Sequence, residues 1–82
     1  MPVNGKIKGW TKHGSEQALD RDGGAGVSND AIEDAVDNPK EVEEQGDGVK
    51  KYVGENATVV LNKDGKVITT WANGSAGTRG GK

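Results

Sequence analysis

The sequence predicts an α+β fold in which two N-terminal helices pack on a small antiparallel β-sheet. Apolar residues recur at helical spacing in the first half of the chain, whereas the second half holds short runs rich in Val, Ile, Thr and aromatic residues, separated by turn signals. A chain of 82 residues has the length of one domain. We expect residues 1–72 to form that domain and the glycine-rich residues 73–82 to form a flexible tail.

The two helices are expected before residue 38. Ser15 is the predicted N-cap of a first helix that ends by Asp22, because the glycine-rich residues 23–26 break helices. Ser28 is the predicted N-cap of a second helix, which Asn38-Pro39 ends. The apolar residues of this second helix repeat on one face: Ala31, Ile32, Ala35 and Val36.

Three strands are expected in the second half of the chain, over residues 50–53, 57–61 and 66–71. The last two are separated by Asn62-Lys63-Asp64-Gly65, which predicts a hairpin turn with Gly65 at positive φ. Residues 45–48 are expected to form a loop. The predicted order is therefore two helices followed by a meander of antiparallel strands.

The charges are distributed unevenly along the chain. The net charge is −2, but residues 30–47 hold eight acidic residues and one basic residue, Lys40, for a net −7, while the rest of the chain is net +5. One interpretation is a solvated acidic helix and loop; another is an acidic surface that docks a basic partner. A basic cleft for nucleic acid is compatible with either interpretation.

Several classes of site are disfavoured by composition. The chain has no cysteine, so disulfides and a cysteine nucleophile are excluded. A single histidine disfavours a zinc site, and we expect neither a metal nor a cofactor. No apolar run approaches the length of a membrane span, so we expect no membrane insertion by this domain.

The single histidine, His13, is the most promising catalytic residue. Imidazole changes its charge near neutral pH, which suits it to proton transfer. Lys12 precedes His13, and Gln17 and Arg21 follow at helical spacing, so that cations able to attract a phosphate lie nearby. From the spacing alone, a surface or capping histidine is the better interpretation.

An ordered set of short runs extends over residues 6–72. The runs are Gly9-Trp10-Thr11-Lys12-His13-Gly14, Gln17-Ala18 with Arg21, Gly26-Val27-Ser28, Ala31-Ile32 with Asp34-Ala35-Val36, Asn38-Pro39, residues 51–62 and residues 65–71. This set resembles the C-terminal toxin domains of bacterial polymorphic toxins, which end contact-dependent growth inhibition effectors, LXG-type toxins and wall-associated toxins.

The resemblance implies a barnase/EndoU/colicin/RelE-like fold and a ribonuclease that cleaves RNA, often tRNA, without metal. It also implies secretion as part of a larger effector, action in the cytoplasm of target bacteria, and a cognate immunity protein. Two alternatives stay open: a non-catalytic binding module that uses the acidic residues 30–47, and a DNase toxin on the same fold.

The implied chemistry is attack of a ribose 2′-OH on the adjacent phosphate. It needs a base, an acid and cations around the phosphate. The residues expected to supply catalysis are His13, Arg21, Lys51, Tyr52 and Thr70, and those expected to bind substrate are Lys12, Gln17, Lys50, Asn56 and Trp71. For Trp71, packing in the core is the stronger alternative. Lys50 competes with Lys51, since strand alternation places them on opposite faces of the sheet.

Overall fold

A computed structural model describes residues 5–20 and 26–74, and for residues 17–20 the backbone alone. This part of the chain forms two helices and a five-stranded sheet. The elements in chain order are β1 (Gly9–Trp10), α1 (Lys12–Asp20), α2 (Asn29–Asp37), β2 (Glu41–Gly46), β3 (Val49–Val53), β4 (Ala57–Leu61) and β5 (Lys66–Ala72). Neither described helix is long and apolar enough to cross a membrane.

The sheet is mixed, with the strand order β1-β5-β4-β3-β2. Strands β2 to β5 form an antiparallel meander, and β1 adds to β5 in parallel. The predicted fold, two N-terminal helices on a small antiparallel sheet, is therefore wrong: a strand precedes both helices, and the sheet is the larger part of the structure. Two residues in β1 give no alternation to detect, and the glutamates of β2 are residues that strands disfavour.

Helix α1 begins earlier than predicted. Its N-cap is Thr11, whose Oγ1 accepts a hydrogen bond from the Gly14 amide at 3.0 Å and donates one to the Val67 carbonyl at 3.1 Å. The prediction of Ser15 as the cap is therefore wrong. At Gly14 a side chain would collide with the Val67 carbonyl oxygen, so glycine is what allows α1 to pack directly on β5.

Helix α2 forms as predicted. The Ser28 hydroxyl accepts a hydrogen bond from the Ala31 amide at 3.1 Å, which confirms the predicted N-cap. The helix ends at Asp37, where the Asn38 amide still donates to the Asp34 carbonyl at 2.7 Å. The four predicted apolar residues of this helix are all buried.

The core lies between α2 and the central strands of the sheet. Every residue of β4 is buried, so that β4 is covered on both faces. Trp10 and Tyr52 are partly buried and pack against the core cluster. That cluster consists of Ile7, Val27, Ala31, Ile32, Ala35, Val36, Ala57, Val59, Leu61 and Val67. It is small and largely aliphatic, as expected for a chain of this length.

Two turns lie side by side at one end of the sheet, which we call the hairpin end: residues 46–48 and residues 62–65. The Asn62 side-chain oxygen accepts hydrogen bonds from the Asp64 and Lys66 amides at 2.9 and 3.0 Å. Gly65 has a φ of 80°, which confirms the predicted turn. The predicted loop at residues 45–48 is shorter, because β2 continues through Gly46.

At the far end of the sheet, Asn73 joins β5 to the turn between β3 and β4. Its side-chain nitrogen donates a hydrogen bond to the Gly54 carbonyl at 2.8 Å, and its side-chain oxygen accepts one from the Thr58 hydroxyl at 2.9 Å. Its backbone amide donates to the Asn56 carbonyl at 2.8 Å. Asn73 is the first residue of the predicted tail. Residues 75–82 of that tail, and residues 21–25, lie outside the described residues.

Candidate nucleic-acid interface

The two faces of the sheet hold different predicted site residues. Tyr52, Val59 and Thr70 are register partners on the face that α2 covers, which we call the helix face. Lys51, Val60 and Thr69 are register partners on the opposite face. Because side chains alternate along a strand, Lys50 and Lys51 belong to different faces, as predicted.

On the opposite face, Lys51 and Trp71 meet across β4. The Lys51 Nζ lies 5.6 Å from the centroid of the Trp71 ring, within the range of a cation–π contact. This pair lies across β4, where Thr58 and Val60 are 2% and 7% exposed. Trp71 is half-buried and lies outside the core cluster. The Lys51–Trp71 pair therefore combines a positive charge with a partly exposed aromatic ring.

On the helix face, the hairpin end holds a cavity of about 190 Å³, which we call the hairpin-end pocket. It is lined by Lys6, Gly48, Lys50, Tyr52, Leu61, Asn62, Lys63 and Gly65. The pocket is basic, since three of these residues are lysines and none is acidic. The Lys6 Nζ donates to the Val36 carbonyl at 2.7 Å and lies 5.8 Å from the centre of the Tyr52 ring.

Strand β2 places an acidic residue opposite each lysine of β3. Glu44 is the register partner of Lys50, and Glu43 is the register partner of Lys51. Opposite charges at such cross-strand positions attract each other. All six residues of β2 are exposed, so these carboxylates border both faces of the sheet without entering the hairpin-end pocket.

His13 and Lys12 are exposed in the first turn of α1. The Thr11 amide donates to the Val67 carbonyl at 3.0 Å, next to Lys66 at the start of β5, so this turn lies toward the hairpin end. The backbone of α1 places Gln17 one turn after His13. Arg21 lies outside the described residues, and so does the Gln17 side chain.

Two predicted residues lie outside the hairpin-end pocket. Thr70 has no exposed surface, and its hydroxyl donates to the Thr58 carbonyl at 2.7 Å, so solvent does not reach it in this structure. Asn56 lies in the turn between β3 and β4, at the far end of the sheet from the hairpin-end pocket. The predicted residues thus form separate groups: Lys50 with Tyr52, Lys51 with Trp71, and His13 with Lys12.

Sequence reasoning missed Lys6 and Lys63. Lys6 belongs to no motif, and Lys63 lies in the hairpin turn of residues 62–65, which indicates a turn and not a binding role. The sequence predicted the turn at residues 62–65 but did not indicate that this turn would lie beside the turn at residues 46–48. Among residues 5–20 and 26–74, no three His, Cys, Asp or Glu side chains are grouped so as to hold a metal ion.

Comparison with known proteins gives one informative similarity. Over 77 residues, which make up 94% of this chain, the sequence is 52% identical to the tRNA nuclease WapA of Bacillus subtilis (strain 168). The chain spans 3% of the length of that protein. No family model matches the sequence, and no solved structure matches it. Nearly the whole chain is thus similar to one short segment of a much larger protein that is named as a tRNA nuclease.

Proposed function

We propose that this chain is a toxin domain that cleaves RNA, with tRNA as its substrate. The observation that carries this proposal is the 52% identity to tRNA nuclease WapA over 94% of the chain. The hairpin-end pocket and the Lys51–Trp71 pair add support, since RNA binding relies on cations for phosphates and aromatic rings for bases.

The proposed reaction is transesterification. The ribose 2′-oxygen attacks the adjacent phosphorus, the bond from phosphorus to the 5′-oxygen breaks, and the products end in a 2′,3′-cyclic phosphate and a 5′-hydroxyl. One group removes the proton of the 2′-OH and another protonates the leaving 5′-oxygen. His13 is exposed and performs one of these transfers, and with a single histidine in the chain a different residue performs the other.

Tyr52 is our choice for the second group. Tyr52 lines the hairpin-end pocket beside Lys50, so we infer that a phosphate held there comes within reach of the Tyr52 hydroxyl and of a cation. Adjacent strands lie about 4.8 Å apart, so β3 and β5 are roughly 10 Å apart, with the first turn of α1 near the start of β5. A nucleotide bound across the hairpin end, beside the turns that border β3 and β5, would bring the reacting phosphate toward both His13 and Tyr52.

The test is incubation of the purified chain with bulk tRNA in the presence of a metal chelator. We expect discrete tRNA fragments whose 3′ ends require removal of a cyclic phosphate before they can be extended. His13→Ala should abolish cleavage, whereas Glu16→Ala, an exposed substitution in the same helix, should leave the rate unchanged. Intact tRNA with folded protein would refute the proposal, and cleavage of DNA only when a divalent metal is added would indicate a DNase instead.

The toxin proposal extends to the setting of the reaction. We propose that the domain is exported as part of a larger effector, acts in the cytoplasm of target bacteria, and is neutralised in the producing cell by a cognate immunity protein. The family resemblance supports these points. Expression of the chain in bacteria should arrest growth, and co-expression of the immunity protein should restore it; growth without arrest at detectable protein levels would contradict the toxin proposal.

A further inference from the structure

We propose that the hairpin-end pocket is a phosphate-binding site, which holds one phosphate group of the RNA backbone through Lys50 and Lys63. The inference rests on the proposed function for the identity of the ligand as RNA. Its physical basis, a basic cavity of defined size, does not depend on catalysis.

The first argument is charge. Lys6, Lys50 and Lys63 line the pocket, and none of the described residues that line it is acidic. The nearest acidic groups by backbone position are Glu44, across from Lys50, Asp47, which precedes Gly48, and Asp64, which follows Lys63 in the turn. All three are exposed. A dianionic or monoanionic phosphate would therefore meet an excess of positive charge inside the cavity.

The second argument is size. The cavity has a volume of about 190 Å³, below the roughly 300–1,000 Å³ typical of pockets for drug-sized ligands. A water molecule occupies about 30 Å³ of liquid, so the pocket holds a group of several heavy atoms and not a whole dinucleotide. A phosphate with part of its ribose matches this volume, and the attached bases would lie outside.

The third argument is that the pocket is built before any ligand arrives. The Lys6 ammonium is held at the wall by the Val36 carbonyl at the end of α2 and by the Tyr52 ring. The Lys63 Cβ lies close to Gly48, since a Cβ added to this glycine would be only 2.7 Å away from it. The φ of Gly48 is 81°, a backbone conformation that favours glycine. The two turns therefore fix the pocket mouth, which lowers the entropic cost of binding.

The test is titration of the isotope-labelled 82-residue chain, followed by NMR, with three probes: inorganic phosphate, a nucleoside 3′-monophosphate and the matching nucleoside. We expect amide shifts at Gly48, Asn62 and Lys63 with both phosphates and none with the nucleoside. Tighter binding of the nucleotide than of inorganic phosphate would identify an RNA phosphate as the ligand. Equal shifts with nucleoside and nucleotide, or no shifts at these amides, would overturn the inference.

Matched lysine variants sharpen the test. Lys63→Gln should weaken nucleotide binding about threefold to tenfold, because it removes one charged contact. Lys40→Gln is the control, since Lys40 is also exposed but lies before β2 and outside the pocket. RNA affinity can be measured without cleavage in the His13→Ala variant. Adding Lys63→Gln to that variant should reduce the slope of log affinity against log salt concentration by about one unit. Equal weakening by both lysine variants would contradict a specific site.

Phosphate binding and RNA cleavage are separate readouts. A chain that cleaves tRNA but shows no phosphate-dependent shifts at the pocket refutes this inference and leaves the proposed function standing. A chain that binds the nucleotide at the pocket but leaves tRNA intact supports the site and refutes the nuclease.

Discussion

Strands β4 and β2 are the two neighbours of β3, and their environments are opposite. Every residue of β4 is buried, with α2 on one face and the Lys51–Trp71 pair on the other. Every residue of β2 is exposed, and three of its six residues are glutamates. The difference shows where stability resides: β4 contributes apolar area to the core, whereas β2 closes the sheet with a charged edge that discourages pairing with other chains.

The largest expected effect on stability distinguishes β4 from β2 when one apolar side chain in each strand is replaced with alanine. Leu61→Ala in β4 should lower the free energy of unfolding by about 2–5 kcal/mol, because it removes buried methyl groups and leaves a cavity. Val42→Ala in β2 should change it by less than about 0.5 kcal/mol, since Val42 is 48% exposed. Urea denaturation of both variants measures the difference, and similar losses would show that β2 is part of the stabilising core.

A second prediction concerns the turn that leads into β4. A Cβ at Gly54 would lie 2.6 Å from the Ala35 Cα and 3.0 Å from the Ala57 carbonyl oxygen, both backbone atoms. Gly54→Ala should therefore destabilise the fold by about 1–3 kcal/mol, as overpacking does. Gly74→Ala is the control, because nothing lies within 4 Å of its Cβ position. Unchanged thermal unfolding of Gly54→Ala would mean that α2 moves freely away from this turn.

A third prediction tests the contact between β4 and β5. Thr70→Val removes the buried hydroxyl that donates to the Thr58 carbonyl and should cost about 1 kcal/mol in unfolding free energy. Thr70→Ser, which keeps the hydroxyl, separates loss of this bond from loss of packing. If Thr70 has only a structural role, folded Thr70→Val should cleave tRNA at the normal rate. Loss of cleavage in a folded variant would instead support the catalytic role that the resemblance implies.

The smallest expected effect comes from the charges of β2. Replacing Glu43 and Glu44 together with glutamine removes the acidic register partners of Lys51 and Lys50. We expect stability to fall by less than about 1 kcal/mol, because exposed cross-strand pairs contribute little. RNA affinity should rise at low salt, since two negative charges no longer compete with phosphate for the lysines. A fall in affinity would show that the glutamates orient these lysines for binding.

Much of the local structure was predictable because its signals are local. Ser28 caps α2 through its own hydroxyl, and the turn at residues 62–65 depends on Asn62 and on a glycine at positive φ. Strand β2 was missed because its glutamates form a strand only as an edge beside β3. Thr11 was missed as a cap because the glycine at position 14 disfavours a helix start, and the structure requires that glycine only for its close packing on Val67, far away in sequence.

The candidate site follows the same division. Strand alternation alone placed Lys50 and Lys51 on opposite faces, and composition alone left His13 as the single imidazole. Only the tertiary structure buried Thr70, moved Asn56 to the far end of the sheet and brought Lys6 and Lys63 to the pocket of Lys50 and Tyr52. Alternation and capping depend on neighbours within a few residues, whereas a pocket depends on which strand ends meet, and that is decided by packing across the whole chain.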